Sequence, residues 1–558
     1  MLRGGSARRA ALVVAFGVLI VTLSLVAAYS SSTYIPATTA SSTLTLALPG
    51  PFSGCPASST TLNDSTRAIL DLTRPSAFQT GYDGQLVGEG GAIVSAELTS
   101  LAPETVVYTV NTHLLWSNGR AFGASDLVAW WHREIHAPGL LGEGYRDIRQ
   151  MTISSSGLQV TATFGAATPF TEWNLLFRDV EAPTTSTSCD ISLLASRPAL
   201  GPYLVTSASS SLVILSANPN WPLNYNRFQN IIIEAASPTV ATGQFYVGFS
   251  PSVTSNDLGA LAAHNSYASS FVPSSSVLEM AFSPTSPLVS SLDVRSGLAW
   301  ALSRAHLLSR IDPTGGSSGN VPTSVLYPVS SPLYPSAQLS PAISPVSPEL
   351  SGTALDCPRC SAQALQRGGW HLTDGHWVIH HHEVVVTLGV GPSEIDRRAA
   401  GVVSSQWTSL GLRVVQRSFA SDSSTAAAAA TGVVSVAVYT RPLGSSPWWA
   451  VSSFAPIGGE VSYPTGVTTP VLAHTLKLVK DDFNPQVAQV SWEMFDQWLQ
   501  RWFWLRPLAT PPALTLWSGR VGNVQPASTV AGLVDQIPNW GVAPPHSVPT
   551  TTTTVRTS

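Results

Sequence analysis

The stretch "LLWSNGRAFGASDLVAWW", from Leu114 to Trp131, contains a turn followed by the start of a helix. Asn118 and Gly119 form a dipeptide that is typical of tight turns. Gly123 is an acceptable helix N-cap, and the carboxylate of Asp126 suits the first helical turn because it meets the positive end of the helix dipole. The apolar face of this helix would consist of Leu127, Trp130 and Trp131. We therefore predict that the stretch is scaffold and does not contact a ligand.

Four further landmarks follow this stretch along the chain. They are "LGPYLVTSASSSLVILSANPNW" (200–221), "VLEMAFSPTSPLVSSLDVRSGLAWALSR" (277–304), "ALQRGGWHLTDGHW" (364–377) and "WLRPLATPP" (504–512). In this order, the five segments resemble the solute-binding proteins of the peptide/nickel class (family 5), which serve ABC importers. Members of that family carry a W-S-D-G turn and then T-A-x-D-V at a helix start. Here Asn118 replaces the Asp, and Gly123 replaces the Thr.

The resemblance implies an α/β fold of the large type II periplasmic-binding-protein kind, with two lobes, a hinge and an interlobe cleft. Matching landmarks place lobe I at residues 44–273 and 510–541 and lobe II at residues 274–509. Two crossing segments would form the hinge, so closure needs only a few backbone torsions to change. Because Cys55 and Cys189 would share lobe I, the resemblance also implies a disulfide between them.

Hydrophobic periodicity independently predicts a mixture of strands and helices. Strand patterns occur at 105–111, 158–164, 211–219 and 230–236. Helical patterns occur at 125–136, 294–309, 393–409 and 487–504. Strands and helices that alternate along a chain favour an α/β protein over an all-α or all-β one.

Composition limits the classes of partner. Of the 558 residues only 11% are charged, and the formal net charge is −4, so no basic surface is available for a nucleic-acid backbone. We expect a monomer without a cofactor.

We also expect no enzymatic activity, since neither an H-E-x-x-H motif nor a P-loop occurs. The "GGSSG" segment at 315–319 matches G-x-S-x-G, but it follows a helical pattern where the motif requires a strand.

The N-terminal 43 residues have the layout of a bacterial export signal followed by a linker. Arg3, Arg8 and Arg9 precede an apolar run from Ala11 to Ala28, and small residues follow. The run is also long enough for a membrane anchor, which takes about 17–25 apolar residues, so cleavage and anchoring both remain open. Either outcome places the mature protein outside the cytoplasm, at the membrane face, in the periplasm or in the cell wall. The Thr/Pro-rich tail at 542–558 is expected to be disordered.

Cys357 and Cys360 form a C-P-R-C motif with five histidines close behind. One interpretation is a redox or metal half-site, and the other is a local disulfide beside a β-hairpin. The segment from Gly368 to Val390 is more simply explained by two strands around the turn Asp374-Gly375, with exposed histidines. We therefore do not expect a metal site.

The ligand site is expected near "VVSVAVYTRPLGSSPWW" (433–449). In peptide-binding relatives, an acidic residue after the corresponding strand pairs with the amine of the ligand, yet no carboxylate stands near Gly444 and Ser445. The segment instead offers aromatic groups for stacking and an arginine for a carboxylate or phosphate. The candidate ligand-binding residues are Tyr439, Arg441, Trp448, Trp449 and, on the crossing strand, Phe282. The alternative is that these aromatic residues only pack the lobe and that Arg441 is an ordinary surface residue.

Two functions remain open from the sequence. The first is capture of a peptide-like or other small organic solute for the permease and ATPase subunits of an ABC importer. The second arises because Tyr246 stands where an Asp is usual. Together with the altered 439–449 segment, this change resembles an actinobacterial branch of the family, in which some members are thought to act in cell-envelope lipid or glycan metabolism. A membrane-proximal regulator on the same fold is therefore the alternative.

Overall fold

The computed structural model describes most of the chain between Thr43 and Val542. The described residues are 43–57, 63–81, 86–137, 139–166, 168–183, 188–221, 228–236, 246–253, 267–311, 322–331, 334, 357–443, 447, 483 and 485–542. The export segment expected before Thr43 and the tail after Val542 lie outside them. The helices of the described residues include none with the length and apolar character that crossing a membrane requires.

Strands and helices alternate through the described residues. The strands are β1 (Thr43–Leu48), β2 (Phe78–Thr80), β3 (Leu86–Gly88), β4 (Ile93–Leu101), β5 (Glu104–Val110), β6 (Ile148–Ile153), β7 (Gln159–Phe164), β8 (Tyr203–Ala208), β9 (Leu212–Ala217), β10 (Asn230–Ala235), β11 (Val247–Ser250), β12 (Tyr267–Pro273), β13 (Ser276–Phe282), β14 (His371–Thr373), β15 (His376–Ile379), β16 (His382–Glu383), β17 (Val385–Val390), β18 (Arg413–Ser418), β19 (Val436–Pro442), β20 (Leu505–Ala509), β21 (Pro512–Ser518), β22 (Val521–Gly522) and β23 (Gly541–Val542). The helices are α1 (Asp64–Thr73), α2 (Ala124–Glu134), α3 (Gly139–Asp147), α4 (Leu292–Trp300), α5 (Arg304–Ile311), α6 (Pro358–Arg367), α7 (Glu394–Ser409), α8 (Asp422–Ala430), α9 (Pro485–Arg501) and α10 (Val530–Val534).

A seven-stranded mixed sheet organises the first part of the chain. Its strand order is β12-β21-β11-β1-β10-β9-β8, and β1 runs parallel to both β10 and β11. Leu44 and Leu46 of β1 lie beside Ile231 and Ile233 of β10, and all four side chains are buried. A separate four-stranded antiparallel sheet, β4-β5-β7-β6, carries α2 and α3 against it.

A five-stranded sheet organises the second part, with the order β18-β17-β19-β13-β20. β17 runs parallel to both of its neighbours, while β13 is antiparallel to β19 and β20. Helix α7 connects β17 to β18, and α8 connects β18 to β19. Buried residues of α7 and α8 belong to different hydrophobic clusters, so the two helices cover opposite faces of this sheet.

Two crossing segments connect the sheets. The chain leaves β12 for β13 through Ser274 and Ser275, and it returns from β20 to β21 through Thr510 and Pro511. The Ser274 N–H donates to the Pro511 carbonyl at 3.0 Å, so the two crossings lie side by side. We therefore propose residues 44–273 with 510–541 as lobe I and residues 274–509 as lobe II, and we use these names below.

The opening stretch forms a turn and a helix in lobe I, as predicted. Gly123 is the N-cap of α2, and its N–H donates to the Asp126 carboxylate at 3.0 Å. Arg120 forms an ion pair with the same carboxylate. Trp130 is buried and Trp131 is half-buried, so helical spacing divides the pair between core and surface.

Most of the strand and helix patterns read from the sequence match elements of the structure, but the pattern at 294–309 was wrong as a single helix. It contains the end of α4 and most of α5, separated at residues 301–303. The Ser303 carbonyl accepts the N–H of Leu307, which starts a new helix after the break. Hydrophobic periodicity continues across this break, because both helices pack against the same core.

All four cysteines form disulfides, Cys55 with Cys189 and Cys357 with Cys360. The first of these is the pairing that the family resemblance implied. In the C-P-R-C motif, the structure has the local disulfide. The histidines that follow it lie on the small sheet β14-β15-β16, where β14 and β15 form the predicted hairpin. Among the described residues, no cluster of histidine, cysteine or acidic side chains could hold a metal ion.

Candidate functional site

The candidate site lies where β13 and β19 meet at the centre of the lobe II sheet. Side chains alternate between the two faces of a strand. Val277 and Ala281 of β13 join a hydrophobic cluster that continues into lobe I, whereas Leu278, Met280 and Phe282 join the separate core of lobe II. The face of β13 that carries Val277 and Ala281 is therefore directed toward lobe I, and we call it the inner face.

Tyr439 and Arg441 of β19 lie on this inner face. Both side chains are almost completely buried, and Tyr439 belongs to the cluster that joins the lobes. In the register of the sheet, Tyr439 is opposite Glu279 and Arg441 is opposite Val277. The structure thus brings two of the predicted site residues together, and it adds an acidic residue beside them.

Arg441 forms a two-pronged ion pair with Glu279. Its Nε donates to Oε1 and its Nη2 to Oε2, each at 2.8 Å, and the relative exposures of the two side chains are 1% and 0%. Nη2 also donates to the Val325 carbonyl at 2.7 Å. A buried charge of either sign is costly without its partner. Any carboxylate or phosphate of a ligand would therefore compete with Glu279 for this guanidinium.

Helix α9 and the segment at 324–327 cover this ion pair. The Asp496 carboxylate of α9 accepts the Val325 N–H at 2.8 Å and the side-chain amide of Gln500 at 3.2 Å. Burial raises the pKa of Asp496 to about 7, although these hydrogen bonds and the positive charge of Arg441 lower it. The inner face therefore carries a connected polar network to which the amphipathic helix α9 contributes Asp496 and Gln500.

Tyr327 extends this network toward lobe I. Its side chain is buried, and burial raises the pKa of its hydroxyl above the ordinary value. The carboxylates of Asp496, Glu493 and Glu172 raise the pKa further. Glu172 belongs to lobe I, so the acidic groups around Tyr327 come from both lobes.

The other predicted site residues are placed differently. Phe282 is fully buried in the lobe II core on the opposite face of β13. It lies three residues after Glu279, and strand alternation therefore separates it from Tyr439 and Arg441. Trp448 and Trp449 lie outside the described residues.

Two polar positions near the expected family pattern have local partners. Ser435, which directly precedes β19, accepts hydrogen bonds within lobe II, and its N–H donates to the Thr387 hydroxyl at 2.8 Å. Tyr246 stands where an Asp is usual in the family, and the Arg520 guanidinium lies 5.2 Å from the centre of its ring. Both residues are thus part of the packing of their lobes.

Sequence reasoning missed Glu279 and Asp496. The available signal was Glu279 itself, a single acid between Leu278 and Met280 in an otherwise apolar strand. An acid in such a strand is rarely buried without a cationic partner. Nothing in the sequence indicates which arginine supplies that partner, since Glu279 and Arg441 are separated by 162 positions.

A family model described as "Bacterial extracellular solute-binding proteins, family 5 Middle" matches residues 99–455, more than half of the chain. The oligopeptide-binding protein OppA of Mycobacterium tuberculosis is 26% identical over an alignment of 172 positions that covers 28% of this chain and 29% of that protein. The probable monoacyl phosphatidylinositol tetramannoside-binding protein LpqW of the same species is 29% identical over an alignment of 128 positions that covers 21% of this chain and 20% of that protein. Each match therefore spans less than a third of the relative.

Among solved structures, the periplasmic EDTA-binding protein EppA is similar to the whole molecule. Its TM-score is 0.77 at 17% identity, and the match covers 92% of this chain and 99% of that one. At this identity the likeness shows the fold alone. It confirms the two-lobe, periplasmic-binding-protein-like α/β architecture.

Proposed function

Because the chain belongs to the family 5 bacterial extracellular solute-binding proteins, we propose that it binds a peptide-like or other small organic solute between its lobes and delivers it to the permease of an ABC importer. Members of this family act outside the cytoplasm. The proposed location is the extracytoplasmic face of the membrane, in the periplasm or in the cell wall, with the N-terminal segment as signal or anchor.

The observation that carries this proposal is the pair of adjacent crossings between the two sheets. Ser275 donates from its N–H to the Ser528 carbonyl at 3.1 Å and from its hydroxyl to the Ser528 hydroxyl at 2.9 Å. The Leu443 N–H, at the end of β19, donates to the Ser275 carbonyl at 2.9 Å. The strand that leads to the expected ligand segment is thus hydrogen-bonded to the hinge. Capture of a ligand at that segment would bias the angle between the lobes.

The chemistry of the ligand follows from the groups that remain available. Arg441 is held by Glu279, so we assign Arg441 and Tyr439 a positioning role beneath the strand end. Trp448 and Trp449 are the proposed direct contacts, through stacking on a sugar, an aromatic group or an acyl chain. Phe282 is not part of this proposed contact set, because it packs in the lobe II core.

Mass spectrometry of the small molecules released by denaturing the purified protein tests this proposal. We expect a solute in near-stoichiometric amount, and adding it back should raise the melting temperature, because a ligand that binds only the native state stabilises it. The shift should be lost in W448A/W449A and kept in W502A, which alters an exposed tryptophan of lobe II. Absence of any released solute, with no shift from peptides, sugars or lipid headgroups, would argue against capture of a small molecule.

The second candidate function is that of a membrane-proximal regulator of cell-envelope lipid or glycan metabolism. The observation that favours it is the partial match to LpqW. Affinity purification of the full chain from membranes distinguishes the two. Co-purification of a permease and its ATPase supports import, whereas another membrane protein in stoichiometric amount, without a bound solute, supports the regulator.

A further inference from the structure

Lobe I contains a buried arginine with unused hydrogen-bond donors. Arg74 directly follows α1 and is fully buried. Its Nη1 makes a long contact of 3.4 Å with the Thr73 carbonyl, while within the described part of the chain its Nε and Nη2 have no hydrogen-bond partner. Leaving such donors unsatisfied in the interior destabilises the folded state, and more so when the group is charged. Nε and Nη2 form the edge of a guanidinium that matches two oxygens of a carboxylate or phosphate.

A second arginine with unused donors, Arg197, lies nearby. It is 4% exposed, and its Nη2 donates to the Ser188 carbonyl. Its Nε and Nη1 are buried and, among the described residues, also without a hydrogen-bond partner. Burial lowers the pKa of Arg74, and the positive charge of Arg197 lowers it further, while the Glu181 carboxylate raises it.

A third arginine, Arg133, lies close to this pair, because its charge adds to burial in lowering the pKa of both Arg74 and Arg197. Arg133 of α2 is partly exposed, donates to Glu181 Oε2 at 2.9 Å and stacks on the ring of Trp130. Its Nε also contacts Glu134 at 3.2 Å. Arg133 is therefore the one of these three arginines that reaches solvent.

The acidic groups nearby do not use the free donors. Glu181 accepts from Arg133 through one oxygen and from the Ala57 N–H, at 3.3 Å, through the other. Asp179 also acts on Arg74, and it lies 3.9 Å from the guanidinium of Arg67 in a separate ion pair.

The backbone around the cluster is fixed by long-range contacts. The Val180 N–H donates to the Pro75 carbonyl at 2.9 Å, and the Leu200 N–H donates to the Thr73 carbonyl at 3.1 Å. The disulfide between Cys55 and Cys189 ties together the segments that pass Ala57 and Ser188. The donors of Arg74 and Arg197 are thus held in place before any ligand arrives, which reduces the entropy lost on binding.

We propose that Arg74 and Arg197 form a binding site for a phosphate-like oxyanion in lobe I, with Arg133 at its entrance. An oxyanion with three or four acceptor oxygens satisfies the four unused donor atoms. The site is separate from the Arg441–Glu279 pair of lobe II, and it does not depend on the identity of the transported solute.

The test is a titration of the full chain with inorganic phosphate in phosphate-free buffer, at constant ionic strength maintained with chloride. We expect a saturable rise in melting temperature. R74M and R197M keep the apolar part of the side chain but remove its donors, so each should weaken phosphate binding at least tenfold. R413M, which removes an exposed arginine paired with Glu383, should leave the phosphate-dependent shift unchanged.

A rise no larger than that given by chloride, or one that persists in R74M and R197M, overturns the proposal. If the variants do not fold, the wild-type protein still provides a test through ³¹P NMR. Broadening of the phosphate signal that excess sulfate reverses supports the site, and an unchanged signal overturns it.

A second titration with glycerol phosphate identifies the source of the anion. An equal shift indicates a phosphomonoester on a larger molecule, and a shift with inorganic phosphate alone indicates the free anion.

Discussion

At the residue scale, the ion pair between Arg441 and Glu279 is the most consequential contact of the candidate site. Both groups are buried, so their attraction is weakly screened, but each also loses its hydration. Their net contribution to stability is therefore smaller than the cost of removing only one of them. Because Arg441 is buried and paired with Glu279, we propose that it positions the end of β19 and does not anchor the ligand directly.

Replacing Arg441 alone is expected to destabilise the protein strongly. R441M leaves the Glu279 carboxylate buried without its partner, which should lower the free energy of unfolding by about 3–5 kcal/mol. The double variant E279M/R441M should recover most of this loss. Urea denaturation measures both values. R413M in the exposed pair with Glu383 should cost less than about 1 kcal/mol, and a similarly small effect of R441M would contradict the buried-pair interpretation.

Glu104 should make stability depend on pH. Burial raises its pKa to about 8, although the Phe170 N–H, which donates to the carboxylate at 2.5 Å, lowers it. Between about pH 4.5 and 8 the folded state thus holds this proton more firmly than the unfolded state. The free energy of unfolding therefore falls as pH rises through that window.

E104Q imitates the protonated carboxyl and should remove this contribution. The free energy of unfolding of E104Q should therefore change less with pH than that of the wild type. The two slopes should differ by up to about 1.4 kcal/mol per pH unit. Denaturation at several pH values between 5 and 8 measures the difference, with E97Q at an exposed position as the control. Parallel profiles for E104Q and the wild type would show that Glu104 does not titrate in this range.

At the element scale, helix α2 shows how a degenerate motif still forms the same local structure. Gly123 has no side chain to cap the helix, so the cap depends on Asp126, which accepts the Gly123 N–H and pairs with Arg120. The Trp116 indole N–H lies 3.5 Å from the same carboxylate. The turn and the helix are thus connected through one acidic residue, and this connection survives the replacement of the usual capping residue.

Trp131 should contribute to stability and not to ligand binding. Its indole N–H donates to the Tyr145 carbonyl at 2.9 Å, and its ring packs against the lobe I core. W131A should lower the free energy of unfolding by roughly 2–4 kcal/mol, less than for a fully buried tryptophan. The control variant is W502A, which removes a more exposed tryptophan ring and should lower the free energy of unfolding less than W131A does. Loss of a ligand-induced melting shift in W131A at unchanged stability would place this helix in the binding site instead.

At the scale of the whole molecule, two sheets of different topology are held together by a pair of crossings and by one continuous hydrophobic cluster. This cluster runs from β1 in lobe I to Tyr439 and Leu499 in lobe II. Two lobes with few covalent connections can move about a hinge. Because they also share an apolar interface, contacts with a ligand must replace the interface contacts that such a motion breaks.

The disulfide of lobe I should matter far more for stability than the one in lobe II. Cys55 and Cys189 close a loop of 134 positions, whereas Cys357 and Cys360 are three positions apart. In the chain-entropy model the longer loop restricts the unfolded state more, so C55A/C189A should cost about 2–5 kcal/mol. C357A/C360A serves as the matched variant and should cost clearly less. Equal losses in thermal or urea denaturation would point to local packing as the cause.

Much of this architecture could be predicted from the sequence. Period-two and helical patterns are local properties, and they located strands such as β5 and β7 and helices such as α2 and α7. The order of the landmarks indicated the family and, through it, the pairing of Cys55 with Cys189. The same local patterns were misleading at residues 301–303, since apolar spacing continues across the break between α4 and α5.

The candidate site depended on contacts that the sequence does not show. The face of β13 that Phe282 occupies follows from the register of that strand in the sheet, and a single-residue difference in register would reverse it. The partner of Glu279 follows from the antiparallel pairing of β13 with β19, strands separated by a long stretch of chain. The sequence by itself therefore determined the elements and the family. Only the tertiary structure decided which charges meet, because burial and pairing arise when distant segments pack together.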